Sequence, residues 1–192
     1  MKRFPSLCLA VLLTACGGGG GDDASVNPPP LGGGNQLPNP ATAPALKTVI
    51  ASRMGLNFPI GAAIEPASTA GADAALLQRH FSSITAENVM KPDTLWPNAA
   101  GSTTQPAASP NFGPADQLVT FAAANNIQLR GHTLVWHATT PTWMVTGDRL
   151  AIQQNLRTYI TAVMQHFPNV YAWDVVNEVA SDTPNAANPY RT

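Results

Sequence analysis

Two short segments of the chain combine an apolar run with side chains that can carry acid–base chemistry. The segment WDVVNE at 173–178 ends in an amide and a carboxyl group, those of Asn177 and Glu178. The segment RGHTLVWH at 130–137 carries imidazole and indole groups, among them His132 and Trp136. In enzymes built on parallel strands, the catalytic side chains emerge at the C-terminal ends of the strands. The two segments therefore predict an enzyme site of this kind.

The Asn177-Glu178 pair is suited to the cleavage of a glycosidic bond. A carboxyl group can protonate the leaving oxygen, and a neighbouring amide can hydrogen-bond the sugar 2-hydroxyl, a contact that strengthens in the transition state. Val175 and Val176 before the pair predict a buried strand. Adjacent strand residues point to opposite faces, so both groups serve one site only if the strand bulges or ends there. A solvated glutamate at a strand end is the alternative interpretation.

The aromatic segment favours sugar binding over metal binding. His132, Leu134 and Trp136 share one face of an extended strand, and His137 lies on the other. An indole can stack on the C–H groups of a pyranose ring, and an imidazole can hydrogen-bond its hydroxyls. The spacing of His132 and His137 does not suit a metal pair, and we expect no metal site. A core tryptophan beside a buried, hydrogen-bonded histidine is the alternative interpretation.

The rest of the sequence alternates between strand-like and helix-like segments. The predicted strands are 58–64, 83–90, 127–136 and 170–176. The predicted helices are 46–54, 72–81, 114–126 and 149–167, with a long loop at 91–113. The last helix has an apolar stripe that predicts core packing, formed by Leu156, Ile160, Val163, Met164 and Phe167. Such alternation predicts right-handed βαβ units in an α/β fold with a parallel sheet.

The first sixteen residues predict an export signal. Lys2 and Arg3 precede an apolar stretch that is too short to span a membrane. The sequence LTAC at 13–16 resembles the cleavage box of bacterial lipoproteins and predicts that Cys16 is lipidated, which would anchor the protein to a membrane at the cell surface. An ordinary signal peptide cleaved near Ala15, which would give a secreted protein, is the alternative.

Residues 17–45 predict a disordered linker, because they are rich in Gly and Pro and contain almost nothing to bury. Both cysteines of the chain, Cys8 and Cys16, precede this linker. The predicted folded part, 46–192, therefore has no disulfide and relies on its core. The net charge is −1 and no Lys/Arg cluster is present, so we expect no nucleic-acid partner.

Three motifs, ITAENVMKPD at 84–93, RGHTLVWH at 130–137 and VYAWDVVNE at 170–178, resemble glycoside hydrolase family 10, the retaining endo-1,4-β-xylanases, in their order and spacing. The resemblance covers 46–192. It implies a (β/α)8 TIM barrel, of which these residues would be the N-terminal half, truncated after about the fourth strand. It also implies xylan or xylo-oligosaccharides as substrate, no cofactor, and a monomeric full-length enzyme.

The resemblance also implies roles for individual residues. Glu178 matches the general acid/base of the family, and Asp174 is expected to be structural. Sugar-binding roles are implied for Glu87, Asn88, Lys91, His132, Trp136 and Asn177.

Two features depart from the family pattern. The loop at 97–110 is longer and richer in Ser, Thr and Ala than expected, and we expect it to decorate the rim of the site. The nucleophilic Glu of the family lies on the seventh strand, and acids such as Glu65 match no nucleophile position. A retaining enzyme needs two carboxyl groups about 5–5.5 Å apart. An inactive, truncated sugar-binding remnant and a related barrel β-glycanase, such as a cellulase, therefore remain as alternatives.

Overall fold

The computed structural model describes residues 39–54, 58–183, 187, 189 and 190. The predicted signal peptide, with Cys16, and most of the predicted linker lie outside the described residues. The strands are β1 (Gly61–Ile64), β2 (Ser83–Ala86), β3 (Gln128–Trp136) and β4 (Ala172–Asn177). The helices are α1 (Leu46–Met54), α2 (Gly71–His80), α3 (Pro92–Leu95), α4 (Gly113–Ala124) and α5 (Arg149–His166).

The four strands form one parallel sheet in the order β1-β2-β3-β4. At least one helix separates each pair of consecutive strands along the chain. This arrangement confirms the predicted α/β fold, because parallel neighbours need a crossover connection. The core includes fully buried side chains from the sheet and from the helices, among them Ile84, Leu118 and Val163. In the described part of the chain, no helix is long and apolar enough to cross a membrane.

β1 and β2 are three and four residues shorter than predicted, and β3 and β4 are each one residue shorter. β1 begins at Gly61, three residues late, and Pro59 just before it has no N–H to donate to a ladder. β2 ends at Ala86, and the chain then turns, with the Lys91 N–H donating to the Asn88 carbonyl at 2.9 Å. The early end of β2 places 87–91 in a loop at the edge of the sheet instead of within a strand.

The apolar stripe of α5 was predicted correctly except at one position. Four of its five residues lie in the core or pack against it, but Met164 is 43% exposed. Tyr159, four residues before Val163, is fully buried and packs in the core instead of Met164. Burial raises the pKa of the Tyr159 hydroxyl. The stripe follows the helical repeat of Tyr159, Val163 and Phe167 more closely than the spacing through Met164.

The prediction of a buried strand at Val175 and Val176 is wrong. Val175 is 57% exposed and Val176 is 52% exposed. β4 is an edge strand of the described sheet, with β3 on one side only. Successive side chains of a strand point to opposite faces, so neither face of β4 is covered at these two positions.

The residues before α1 contact α2, although they belong to the predicted linker. The Arg79 guanidinium donates to the Ala43 carbonyl, and the Leu46 N–H donates to His80 Nδ1 at 3.3 Å. His80 Nε2 lies 2.6 Å from the carbonyl oxygen of Pro40. Hydrogen-bonded structure therefore precedes residue 46.

Gly131 allows close contact between β3 and the Trp173 side chain of β4. A Cβ at this position would lie 2.3 Å from Cε3 of the Trp173 ring. Ordinary van der Waals contact requires more than 3.4 Å, so any larger residue would displace the ring.

We predict that Gly131→Ala destabilises the protein by about 1–3 kcal/mol, because the ring must move within a packed core. Urea unfolding followed by circular dichroism would measure the change. Gly113→Ala is the matched control, since a Cβ there lies 3.9 Å from its nearest neighbour, Asn111 Oδ1. Equal effects of the two substitutions would contradict the close contact.

Candidate active site

The carboxyl ends of the four parallel strands lie at one edge of the sheet, which we call the C-terminal edge. Glu65 follows β1 directly, and Asn88 and Lys91 lie in the loop after β2. Trp136 is the last residue of β3, and Asn177 is the last residue of β4. Asn177 pairs with Trp136 in the register of these two strands. The sequence segments that were singled out for their chemistry therefore meet at this edge.

Glu178 takes a distinct backbone conformation immediately after β4. The strand ends at Asn177, and Glu178 has a φ of 51°, in the left-handed region that non-glycine residues seldom adopt. Its Oε2 accepts a hydrogen bond of 2.9 Å from Trp136 Nε1 and lies 3.8 Å from His137 Nδ1. Because β4 ends at Asn177, the side chains of Asn177 and Glu178 need not point to opposite faces, and both can serve one site.

The loop after β2 contributes a cation and an amide. Lys91 Nζ donates to Asn88 Oδ1 at 2.5 Å and lies 5.2 Å from the centroid of the Trp136 ring. An ammonium group at this distance is attracted to the face of an indole. Asn88 Nδ2 in turn donates to the carboxylate of Glu65. The backbone N–H of Glu87 donates to the Ile64 carbonyl at 3.0 Å, and its side chain is exposed at the same edge.

Glu65 was not among the residues predicted to belong to the site. The signal was present, because an acid that follows a strand directly is the pattern that singled out Glu178. Its contact with Asn88 joins residues 23 positions apart in the sequence and depends on the pairing of β1 with β2.

Asp174 holds His132 in the strand pair below the edge. Asp174 Oδ2 lies 2.9 Å from His132 Nδ1, and its Oδ1 accepts from the Arg130 guanidinium, with a distance of 3.0 Å to Nε. The two strands pair His132 with Asp174 directly. Because Nδ1 faces Asp174, Nε2 is the ring nitrogen that a sugar hydroxyl can reach. The His132 and Trp136 ring centroids are 6.0 Å apart.

Burial and charge act in opposite directions on Asp174. Partial burial raises the pKa of its carboxyl, but hydrogen bonds and charge from Arg130 and His132 outweigh this effect and lower the pKa below its ordinary value of 3.8. The same carboxylate raises the pKa of Arg130. Asp174 is therefore an anion that orients the His132 ring.

The alternation predicted along β3 is wrong between His132 and Val135. The pairing with β4 shifts register there, and the His132–Thr133 peptide bond is cis. Thr133 and Leu134 are both buried, and the Thr133 hydroxyl donates to the Asp174 carbonyl at 2.6 Å. A bulge that re-aims side chains accounts for the loss of the two-residue period.

The loop at 97–110 folds against the segment that follows β3. Asn98 and Pro106 form an antiparallel bridge, and Asn98 Oδ1 accepts from the Trp143 N–H at 3.1 Å and from the Thr142 hydroxyl at 3.2 Å. These contacts tie the loop at 97–110 to the segment that follows Trp136.

The described groups at this edge can bind a polar, hydroxyl-rich ligand and exchange a proton with it. Glu178 supplies the carboxyl group, Trp136 donates to it, and Asn177 precedes it at the end of β4. Lys91 lies over the Trp136 ring. Among residues 39–54, 58–183, 187, 189 and 190, no three His, Cys, Asp or Glu side chains converge as a metal ligand set.

We predict that Asp174→Asn destabilises the protein at pH 7 and that this loss shrinks as the pH falls. A carboxyl with a lowered pKa in the folded state contributes stability above its unfolded pKa, near 3.8, and the contribution disappears as the pH falls through the still lower folded pKa. Urea unfolding of parent and variant between pH 7 and pH 3 would test this. A difference that does not change with pH would contradict the ionic role of Asp174.

The sequence matches the family model of glycosyl hydrolase family 10 over residues 46–191. The β-1,4-xylanase of Dictyoglomus thermophilum is 46% identical over 111 residues, which are 57% of this chain and 29% of that protein. A protein of Acetivibrio thermocellus named exoglucanase XynX is 37% identical over 148 residues, covering 68% of this chain and 13% of that one.

The solved structure of xylanase XynB from Paenibacillus barcinonensis superposes with a TM-score of 0.66 at 33% identity, over 79% of this chain and 43% of that one. The chain thus spans less than half the length of each of these three proteins. Its parallel strands and helices correspond to part of a (β/α)8 barrel, as the family resemblance implied. The chain belongs to glycosyl hydrolase family 10.

Proposed function

We propose that this chain provides the acid/base part of a retaining endo-1,4-β-xylanase. The observation that carries the proposal is the position of Glu178, which follows β4 beside Asn177 and accepts a 2.9 Å hydrogen bond from Trp136. The two xylanase relatives, from Dictyoglomus and Paenibacillus, support xylan as the substrate.

In this mechanism Glu178 acts twice. It first protonates the leaving glycosidic oxygen while a second carboxylate attacks the anomeric carbon and forms a glycosyl-enzyme. It then accepts a proton from the water that hydrolyses this intermediate. The second carboxylate is the glutamate that the family resemblance places on the seventh strand. The Trp136 indole fixes the direction of the Glu178 carboxylate, which leaves its other oxygen for the substrate.

The remaining groups at the C-terminal edge hold the sugar chain without a cofactor. Asn177 hydrogen-bonds the sugar beside the scissile bond in this proposal, and His132 and Trp136 line the same subsite. The register of Asn177 with Trp136 and the 6.0 Å between the His132 and Trp136 ring centroids support this arrangement. Glu87, Asn88 and Lys91 bind the next sugar on the side of β2. The amide, ammonium and imidazole groups can form hydrogen bonds with the hydroxyls of a neutral polysaccharide.

We further propose that the protein is exported, with Cys16 as a lipid anchor in a membrane and a monomeric catalytic domain. Polymeric xylan is too large to cross a membrane, and the leader-like residues 1–16 followed by a Gly/Pro-rich segment suit a tethered enzyme. Secretion without an anchor is the alternative that the same leader allows.

A β-1,4-glucan is the second candidate substrate. The relative named exoglucanase XynX favours it, since that protein matches 68% of this chain. A sugar-binding remnant without activity is the third possibility, and the exposed Val175 and Val176 on β4 favour it for the 192-residue chain taken alone.

We predict that Glu178→Gln in the full-length gene product lowers the rate of xylan hydrolysis by about 10²–10⁴-fold, because the leaving oxygen loses its proton donor. An aryl xylobioside with an acidic phenol as leaving group should lose much less in the bond-breaking step, since such a phenol needs no protonation. Asp73→Asn, an exposed acid on α2, is the control. Equal losses on both substrates would contradict the acid role. For the 192-residue chain alone, we expect parent and Glu178→Gln to give the same background rate.

We predict a higher kcat/KM on xylan than on carboxymethylcellulose for the full-length gene product. Release of reducing ends from the two polymers, at matched polymer concentrations, would measure the ratio. A ratio in favour of carboxymethylcellulose would replace the proposed xylanase with a glucanase.

A further inference from the structure

Glu65 has a side chain that local structure does not use. It precedes a 3₁₀ turn at Pro66–Thr69, and its carbonyl accepts the Ser68 N–H at 2.9 Å. Its carboxylate makes no capping hydrogen bond to that turn. Instead, the carboxylate accepts a hydrogen bond from Nδ2 of Asn88, on the loop of the next strand. The backbone thus fixes where Glu65 stands, and its side chain is directed to the neighbouring loop.

The contact determines which way the Asn88 amide faces. An amide has a donating and an accepting end, and the two are distinguished by their partners. Asn88 Nδ2 faces the Glu65 carboxylate, and Asn88 Oδ1 faces Lys91 Nζ at 2.5 Å. A flipped amide would set two donors against each other at Lys91 and two acceptors against each other at Glu65. Both neighbours therefore favour the same orientation.

Further contacts connect Asn88 to the proposed acid/base, Glu178. The Lys91 ammonium that bonds to Asn88 lies 5.2 Å from the Trp136 ring, and the Trp136 indole donates to Glu178. A displacement of Glu65 would move Asn88 and, with it, the Lys91 ammonium relative to the Trp136 ring.

We propose that Glu65 is a positioning residue for the sugar site, which orients the Asn88 amide and, through it, the Lys91 ammonium. The inference rests on the proposed function, because it takes Asn88 and Lys91 as sugar-binding groups. Glu65 acts through Asn88 and needs no contact with the reacting atoms. The ligand class is a neutral, hydroxyl-rich sugar on the β2 side of the acid/base.

The orientation is tested by the Asn88 side-chain amide in the full-length gene product labelled with ¹⁵N-asparagine. The separation between the two amide-proton shifts should be larger in the parent than for a solvent-exposed asparagine, because one proton is hydrogen-bonded to a carboxylate. Glu65→Ala should reduce the separation to that of a solvent-exposed asparagine, and Glu65→Gln should retain most of the excess, since its carbonyl oxygen still accepts. Loss of the signal in Asn88→Ala assigns it. An Asn88 amide that does not change in Glu65→Ala would overturn the proposal, whether or not the protein is active.

The functional consequence is tested by steady-state kinetics on xylohexaose. Glu65→Ala should lower kcat/KM by about tenfold, mainly through KM. Without its hydrogen bond to the Glu65 carboxylate, the Asn88 amide is no longer held in orientation, and substrate binding weakens. Glu65→Gln should recover part of the loss. Glu65→Ala combined with Asn88→Ala should be no worse than Asn88→Ala alone, since the two residues act as a unit. Additive losses would contradict action through Asn88, and Asp73→Ala serves as the control. A parent without activity on xylohexaose would refute the proposed function, while the amide signal would still decide the role of Glu65.

Discussion

The parallel pairing of β3 with β4 is the constraint on which the site depends. It places Trp136 opposite Asn177, so that Glu178, the next residue, can reach the Trp136 indole at 2.9 Å. A slip of one residue would turn the side chains of β4 to the opposite face and separate the pair. The same pairing sets His132 opposite Asp174, and Gly131 lets the Trp173 ring lie close to β3. The chemistry at the edge and the packing behind it therefore share one register.

All four strands contribute a group to the site, and three of these groups carry a charge. Glu65 follows β1, Lys91 lies after β2, and Glu178 follows β4, with the Trp136 indole of β3 between the last two. Each of these charged groups has a hydrogen-bond partner: both carboxylates accept from a neutral N–H group, and the ammonium donates to an amide oxygen. None of the three charged groups is deeply buried. This arrangement directs the groups at moderate cost, since partly exposed charges retain much of their hydration. A polysaccharide that lies along the edge would meet a row of fixed donors and acceptors.

Sequence alone predicted the elements and most of the site, because periodicity and motif depend on local composition. The α/β alternation, the four strands and four of the five α-helices follow from that information, whereas α3 lies in the predicted loop at 91–113. The placement of Trp136 and Glu178 at one edge follows from the ends of their strands. The exposure of Val175 and Val176 could not be predicted from their apolar character, since it depends on which strands lie beside β4. The bulge in β3 and the contact of Glu65 with Asn88 are likewise tertiary, because they depend on register between strands distant in sequence.

The indole N–H of Trp136 offers the most direct test that Glu178 stands in a sugar site. The chain has four tryptophans, and the other three indoles lie elsewhere, with Trp96 and Trp143 donating to backbone carbonyls and Trp173 packed on Gly131. In a ¹H–¹⁵N titration of the full-length gene product with xylotriose, we predict that the Trp136 signal moves most and that the Trp173 signal does not move. A Trp136 signal that is insensitive to xylotriose, with binding detected at another indole, would contradict the placement of substrate beside Glu178.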